Sequence, residues 1–369
     1  VAAQKRGVTQ CADLVAAMFL KRDFTVEIMD TGGAPVVYAE RKGKSDKTLI
    51  FYNHYDVQPE DPIDLWDSEP FKLAQKDGKL FARGISDDKG HLVSRLFALD
   101  ALLADNDELP CNLKFLIEGE EEIGSINLPP FLKENAEKFA ADACIWEFGG
   151  VDFRDHPMQY LGMRGICYVE LSVETASIDA HSGIGGTIFP NAAWRLVWAL
   201  STLKDQNEKI LIPGHYDNVV PPTARDRELF DALPDRAAEY KSRYNIKKFI
   251  KGVTGGTDLA IQEVFEPSCT IAGITTGYQG PGTKTVLPAT ASAIVDFRLV
   301  PNQTPEEIME KLRAHLDAQG FEDVKVVLNG GEAPGRTDPD DPFIQTVIDA
   351  AVDAYGMPQE IVPMVGGSG

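Results

Sequence analysis

The sequence predicts an α/β domain built on a mostly parallel sheet, with a second, α+β domain inserted into it. Three observations carry that expectation. The chain has 369 residues, and single cores stop growing beyond roughly 250–300 residues, so two domains are favoured over one. The first half alternates short apolar runs with an amphipathic stretch. The second half changes to a β-rich order of its own. Hydrophobic residues at 43% and charged residues at 25% lie near globular averages, which excludes disordered, collagen-like and low-complexity classes.

In the first half, segments 48–53, 112–118 and 143–147 are apolar runs rich in β-formers and read as buried strands. Between the first two, Leu92, Val93, Leu96, Phe97, Leu99, Leu102 and Leu103 recur at helical spacing, just after Ser86-Asp87-Asp88. That is an amphipathic helix with acidic residues at its N-terminal end. Strands alternating with helices imply a parallel sheet, whose ligands gather beyond the carboxyl ends of the strands.

From Arg164 the expected order is a strand at 166–174, a helix at 190–204, strands at 269–274 and 290–299, a helix at 305–319 and a strand at 322–328. This β-α-β-β-α-β series is the split βαβ, or ferredoxin-like, arrangement, which can fold as its own domain. After Asn329-Gly330-Gly331, the Pro- and Asp-rich stretch through Pro342 reads as a linker, and a helix at 343–355 returns to the first domain. The expected boundaries are therefore 1–162 with 332–369 for the first domain and 163–331 for the insertion.

Charge and cysteine usage exclude several partners. With 36 Lys and Arg against 57 Asp and Glu, the net charge is −21, which repels phosphate backbones, and no basic stripe compensates. No nucleic-acid partner is expected. No stretch approaches the roughly 18 uncharged apolar residues of a membrane span, so no membrane partner is expected either. The N-terminus lacks a charged-then-apolar signal pattern. Cys11, Cys111, Cys144, Cys167 and Cys269 are odd in number and scattered, forming neither a disulfide framework nor a CxxC site, which points to a reducing cytoplasm. The chain starts at Val1 without Met and stops in Gly366-Gly367-Ser368-Gly369, so residues are expected beyond both ends.

His54, Asp56, Asp87, Glu121, Glu122 and Glu147 all fall at or just past expected strand ends or at the start of the helix. Each piece alone has a plain reading. His54-x-Asp56 could be a histidine bonded to a surface aspartate, Glu120-Glu121-Glu122 a solvated charge run, and Asp87-Asp88 a helix cap. Together, one imidazole and several carboxylates with no nearby lysine would repel unless a cation sat between them. Nitrogen and oxygen donors without thiolate suit Zn, Mn or Co, and a shared carboxylate could bridge two ions.

The strings Asn53-His54-Tyr55-Asp56-Val57-Gln58-Pro59, Ala82-Arg83-Gly84-Ile85-Ser86-Asp87-Asp88-Lys89-Gly90 and Glu118-Gly119-Glu120-Glu121-Glu122-Ile123-Gly124-Ser125 resemble the three catalytic signatures of the M20 metallopeptidases. The likeness continues in Met163-Arg164-Gly165, His181-Ser182-Gly183, Lys284-Thr285-Val286 and Arg298-Leu299-Val300-Pro301. It implies a zinc-peptidase-like catalytic domain with a lid domain that dimerises, and two divalent metal ions, Zn foremost. It makes His54 a ligand of one metal, Asp87 the bridge, Glu122 a ligand of the second and Glu147 the third ligand of the first. Asp56 would hold the His54 ring and Glu121 would be the general base. His181 would steady the oxyanion in a partner subunit's site, while Arg298, Thr285 and Ser368 hold the substrate's carboxylate end. Arg298 could otherwise be a solvent-facing residue of an edge strand, and His181 a plain loop histidine.

The implied reaction is hydrolysis of a dipeptide or C-terminal peptide bond next to a free carboxylate, in a homodimer. Two alternatives stand beside it: N-acyl amino acid deacylation, and a noncatalytic member that binds metal poorly. The family's second metal usually takes one more histidine beyond Gly-Gly-Ser-Gly-Pro, where this chain stops, and His91, His156, His215 and His315 match no ligand position. The resemblance also associates Glu at position 147 with carboxypeptidases and deacylases, and Asp with aminopeptidases and dipeptidases. The surrounding strings look most like the dipeptidase branch.

Overall fold

A computed structural model of the chain describes residues 1–106, 108–147, 149–151 and 155–367. It divides into two compact units, Val1–Gly149 and Gly150–Gly369.

The first unit holds a five-stranded sheet in the order Thr25–Met29, Val36–Arg41, Asn112–Glu118, Thr48–His54, Ala143–Trp146. Its last three strands run parallel, as expected, but Val36–Arg41 pairs antiparallel with both Thr25–Met29 and Asn112–Glu118. Four of the five strands thus share one direction, a mostly parallel sheet with Val36–Arg41 reversed. The cause is a short hairpin link whose Gly32 takes φ +85°, a conformation that glycine adopts without a Cβ clash. Along Asn112–Glu118, Leu113, Phe115 and Ile117 face a core shared with helices Val8–Leu20 and Lys89–Asp105, while Leu116 faces helix Leu128–Glu134. That alternation is what a strand covered by helices on both faces requires.

The second unit contains the expected β-α-β-β-α-β sheet. Its order is Ser268–Thr276, Thr290–Leu299, Gly165–Glu174, Lys325–Glu332, with every pairing antiparallel. Cys167, Val169, Leu171 and Val173 alternate inward, as do Ala293, Val295, Phe297 and Leu299, against helices Ala192–Ser201 and Pro305–Ala318. Both helices start on side-chain caps: Asn191 accepts from Trp194 N at 3.1 Å and Thr304 from Glu307 N at 3.2 Å.

Three details correct the sequence reading. Helices Ala224–Ala232, Ala237–Tyr244 and Gly256–Phe265 intervene before strand Ser268–Thr276. The last strand begins at Lys325, because Gly320, at φ +77°, starts a turn through 324. That strand runs past its expected end at 328 through Asn329-Gly330-Gly331 to Glu332, and Gly335–Arg336, within the expected linker, pairs with Gly162–Met163. Helix Pro342–Tyr355 is followed by strand Glu360–Val362, which pairs parallel with Pro157–Tyr160.

Candidate metal centre

In the first unit, parallel registry sets three strand ends level. His54 stands opposite Glu118, and Tyr52 opposite Trp146, so His54, the turn after Glu118 and Glu147 share one end of the sheet. Glu121 and Glu122 lie in a short 3-10 turn, Glu121–Ile123. Asp87 and Asp88 immediately precede helix Lys89–Asp105. Two motif glycines permit this crowding: a Cβ at Gly119 would lie 2.3 Å from the Tyr55 ring, and one at Gly90 only 1.9 Å from the Ile85 carbonyl oxygen.

His54 is fully buried. Its Nε2 lies 2.8 Å from Asp87 Oδ1, 3.2 Å from Glu147 Oε1 and 3.8 Å from Glu121 Oε2. Its Nδ1 approaches Asp56 Oδ1 at 3.3 Å without hydrogen-bond alignment. Two triads have ligand atoms within 4.8 Å of one another: His54, Asp87 and Glu122, and His54, Glu121 and Glu147. Glu121, expected as a base, thus also stands at ligand distance. The structure brings all six expected residues of this unit together.

The electrostatics show what the cluster lacks. Burial alone would lower the His54 pKa, but the adjacent carboxylates of Asp56, Glu147 and Glu121 overcome it and raise the group to about 11. Burial, then the charges of Glu147, Glu122 and Asp87, push Glu121 up to about 8 against the opposing pull of His54. Burial and Asp87 also raise Glu122. Crowded carboxylates hold protons unless a cation replaces them. One imidazole nitrogen and several carboxylate oxygens aimed at one space is a donor set that fits a divalent ion.

The expectation of no nearby lysine needs correction. Lys89 is close enough for its charge to feel Asp56, Glu122 and Asp87, although its ammonium donates to the Tyr55 carbonyl at 3.2 Å. Burial lowers its pKa from the ordinary lysine value.

Several supporting residues were not singled out from the sequence. Asp88 makes no capping bond; its Oδ2 accepts from Asn53 Nδ2 at 2.6 Å and from His54 N at 3.0 Å. Asp56 Oδ2 accepts from Glu122 N at 3.1 Å, and Gln58 N donates to Glu122 Oε1 at 3.0 Å. Glu118, raised to about 6 mainly by burial, accepts from Tyr52 at 2.6 Å and Ser125 at 2.8 Å. Arg95 binds the ends of two strands. Its sequence signal was available: a charge three residues after Leu92 and four before Leu99 stands in the buried stripe.

The second unit holds the remaining expected residues. His181 ends strand Ala180–His181, which pairs with Val286–Leu287. Its Nδ1 accepts from Gly183 N at 3.0 Å, which leaves the proton on Nε2, 3.0 Å from Thr285 Oγ1. His181 therefore presents a donor nitrogen, held by the threonine expected beside the substrate. Arg298 lies on a central strand, between Ile166 and Ser268, so the edge-strand reading fails. It stands on the face opposite the helices, its Nε 3.3 Å from Asp296 Oδ1. Ser368 lies outside the described residues.

Comparison with known proteins places the chain in context. Residues 50–369 match the family model described as peptidase family M20/M25/M40. The rat β-Ala-His dipeptidase is 32% identical over 295 residues, covering 77% of this chain and 58% of that protein. The Cys-Gly metallodipeptidase dug1 of Schizosaccharomyces pombe is 32% identical over 333 residues, 84% of this chain and 67% of that protein. Among solved structures, the M20 family metallo-carboxypeptidase Sso-CP2 from Sulfolobus solfataricus superposes with a TM-score of 0.92 at 36% identity, covering 100% of this chain and 83% of that one. The chain thus spans little more than half the length of some curated relatives it matches.

Proposed function

The chain belongs to the M20/M25/M40 peptidase family, and from that premise we propose that its protein is a dinuclear metallohydrolase cleaving a peptide bond next to a free carboxylate. The observation that carries the proposal is the convergence of Asp87, Glu147 and Glu121 on His54 Nε2, within 2.8–3.8 Å. Relatives named dipeptidase and carboxypeptidase both support it, since each acts beside a free carboxylate. Zinc is the favoured ion on the nitrogen and oxygen donor set. Two divalent ions supply charge that polarises the scissile carbonyl and acidifies water.

In this reading His54, Asp87 and Glu147 would hold one ion, and Asp87 and Glu122 the other. Asp56 fixes the His54 ring from its Nδ1 side. Glu121 takes the proton of the attacking water and delivers it to the leaving amine nitrogen, a task its place 3.8 Å from His54 Nε2 at the edge of the cluster allows. Arg298 and Thr285, with Ser368, bind the substrate carboxylate. The Nε2–H of His181 stabilises the oxyanion.

The second unit acts as a lid in a homodimer. Its edge strand Ser268–Thr276 exposes Ile271 and Ile274, and helix Ala192–Ser201 exposes Trp194 and Trp198, an apolar surface of the kind a second copy covers. In this reading residues 1–162 and 332–369 form the catalytic domain and 163–331 the lid. The described helices include none long and apolar enough to cross a membrane, and five free cysteines accord with a cytoplasmic setting.

A panel of dipeptides, longer peptides with free C-termini and N-acyl amino acids, assayed on the full-length protein before and after chelation, tests the reading. Chelator-sensitive release of a C-terminal amino acid is expected. Sole cleavage of N-acyl amino acids would identify a deacylase, and no turnover with less than about one bound metal per chain would identify a noncatalytic member.

A further inference from the structure

Arg95 is a cation placed among apolar neighbours. It lies in helix Lys89–Asp105, within the stripe that buries Leu92, Leu96 and Leu99, and burial lowers its pKa. A guanidinium is retained in such a place only where its donors are used. Its Nη1 donates to Tyr52 O at 2.9 Å and to Asn53 Oδ1, and its Nη2 donates to Glu147 O. The plane sits over the Phe51 ring, 5.2 Å from its centroid. One side chain thus ties the ends of two adjacent strands.

Both ends carry proposed ligands. Glu147 has φ 44°, the left-handed region that a side chain with a Cβ disfavours. The bond from Arg95 to its carbonyl opposes relaxation of that peptide, and the same backbone setting points Glu147 Oε1 to 3.2 Å from His54 Nε2. On the other strand, Asn53 accepts from Arg95 and passes the constraint on, its Nδ2 donating to Asp88 Oδ2 at 2.6 Å. That oxygen also accepts from His54 N, at 3.0 Å.

We infer that Arg95 is a positioning residue that sets Glu147, and through Asn53 and Asp88 also His54, in place for one divalent cation before the cation arrives. The inference rests on the dinuclear reading above. A lysine offers no planar fork and would satisfy these acceptors only in part.

The test uses the full-length protein and the substitutions Arg95→Met, Arg95→Lys and Glu147→Gln. Zinc affinity is read by competition with a chromophoric chelator, and the Co²⁺-loaded protein by its visible absorption spectrum. Folded Arg95→Met is expected to lose roughly 10- to 100-fold in affinity for one zinc equivalent, with a changed cobalt spectrum, and Arg95→Lys to recover part of the loss. A loss of stability without a site-selective change in affinity would overturn the inference. So would a folded Arg95→Met that binds both equivalents within about twofold of wild type. If Arg95→Met does not fold, Arg95→Lys is read by the same criteria, and failure of both to fold would make Arg95 a folding determinant and overturn the positioning role. Glu147→Gln separates the two readings. If it leaves zinc binding unchanged, the ligand assignment itself falls; if it weakens zinc while Arg95→Met does not, only the role of Arg95 falls.

Discussion

Glu121 and Glu122 are chain neighbours in one short turn, yet their surroundings separate them. Glu122 is held by Gln58 and by its own backbone bond to Asp56, whereas Glu121 faces His54 with its pKa pushed to about 8. Glu121→Gln should therefore keep the metals and lose hydrolysis, because the near-isosteric amide cannot take a proton, while Glu122→Gln should lose metal. Retention of more than about a tenth of wild-type kcat by Glu121→Gln would remove it as the base, since general-base catalysis contributes roughly 10²- to 10⁴-fold. The same shift has a pH signature in the metal-free protein. A carboxyl whose folded pKa is raised adds stability below its unfolded value and loses it as pH rises through the folded one, and raised His54 acts in the same direction. The melting temperature of metal-free protein should thus fall between about pH 6 and 8, and fall less in Glu121→Gln. A rise across that window in a thermal scan would contradict the shift.

At the scale of elements, what the sequence disclosed depended on how much apolar surface each segment buries. Strand Thr290–Leu299 alternates buried and half-exposed residues along its length, and its bounds were readable to the residue. Thr25–Met29 buries no residue completely and gave no strand signal; its reversed partner Val36–Arg41 was not read either, although Val36, Val37, Tyr38 and Ala39 are buried. Helix Ala224–Ala232 buries only Asp226 and Phe230, and Ala237–Tyr244 only Ala237; neither stripe stands out from a polar loop. The six clustered site residues were legible because strand ends and polar motifs coincide in sequence. Arg95 showed in the sequence only as a charge within the buried stripe, and its role did not, because its partners are mostly backbone carbonyls, which a sequence does not print. Thr285 was read as a substrate group, and its hydroxyl is bonded to His181, a pairing across 104 residues that only the fold brings together.

At the scale of the whole molecule, the proposed reaction needs groups from both units, and the proposed dimer supplies His181 from one chain to the carboxylates of the other. Exposed Trp194 and Trp198 on helix Ala192–Ser201, and Ile271 and Ile274 on the edge strand, are apolar groups that a symmetric pair would cover. If the exchange is reciprocal, two inactive variants should rescue one another. Glu121→Gln and His181→Ala chains, mixed under conditions that allow subunits to exchange, form mixed dimers with one site that joins an intact Glu121 to an intact His181. The other site carries both defects. Random pairing makes about half the dimers mixed, each with one working site of two, so the ceiling is about a quarter of wild-type activity. Recovery toward that ceiling, against no activity in either variant alone, is the expected result. Absence of recovery after exchange has been verified by mass would mean that His181 serves its own chain or takes no part in the chemistry.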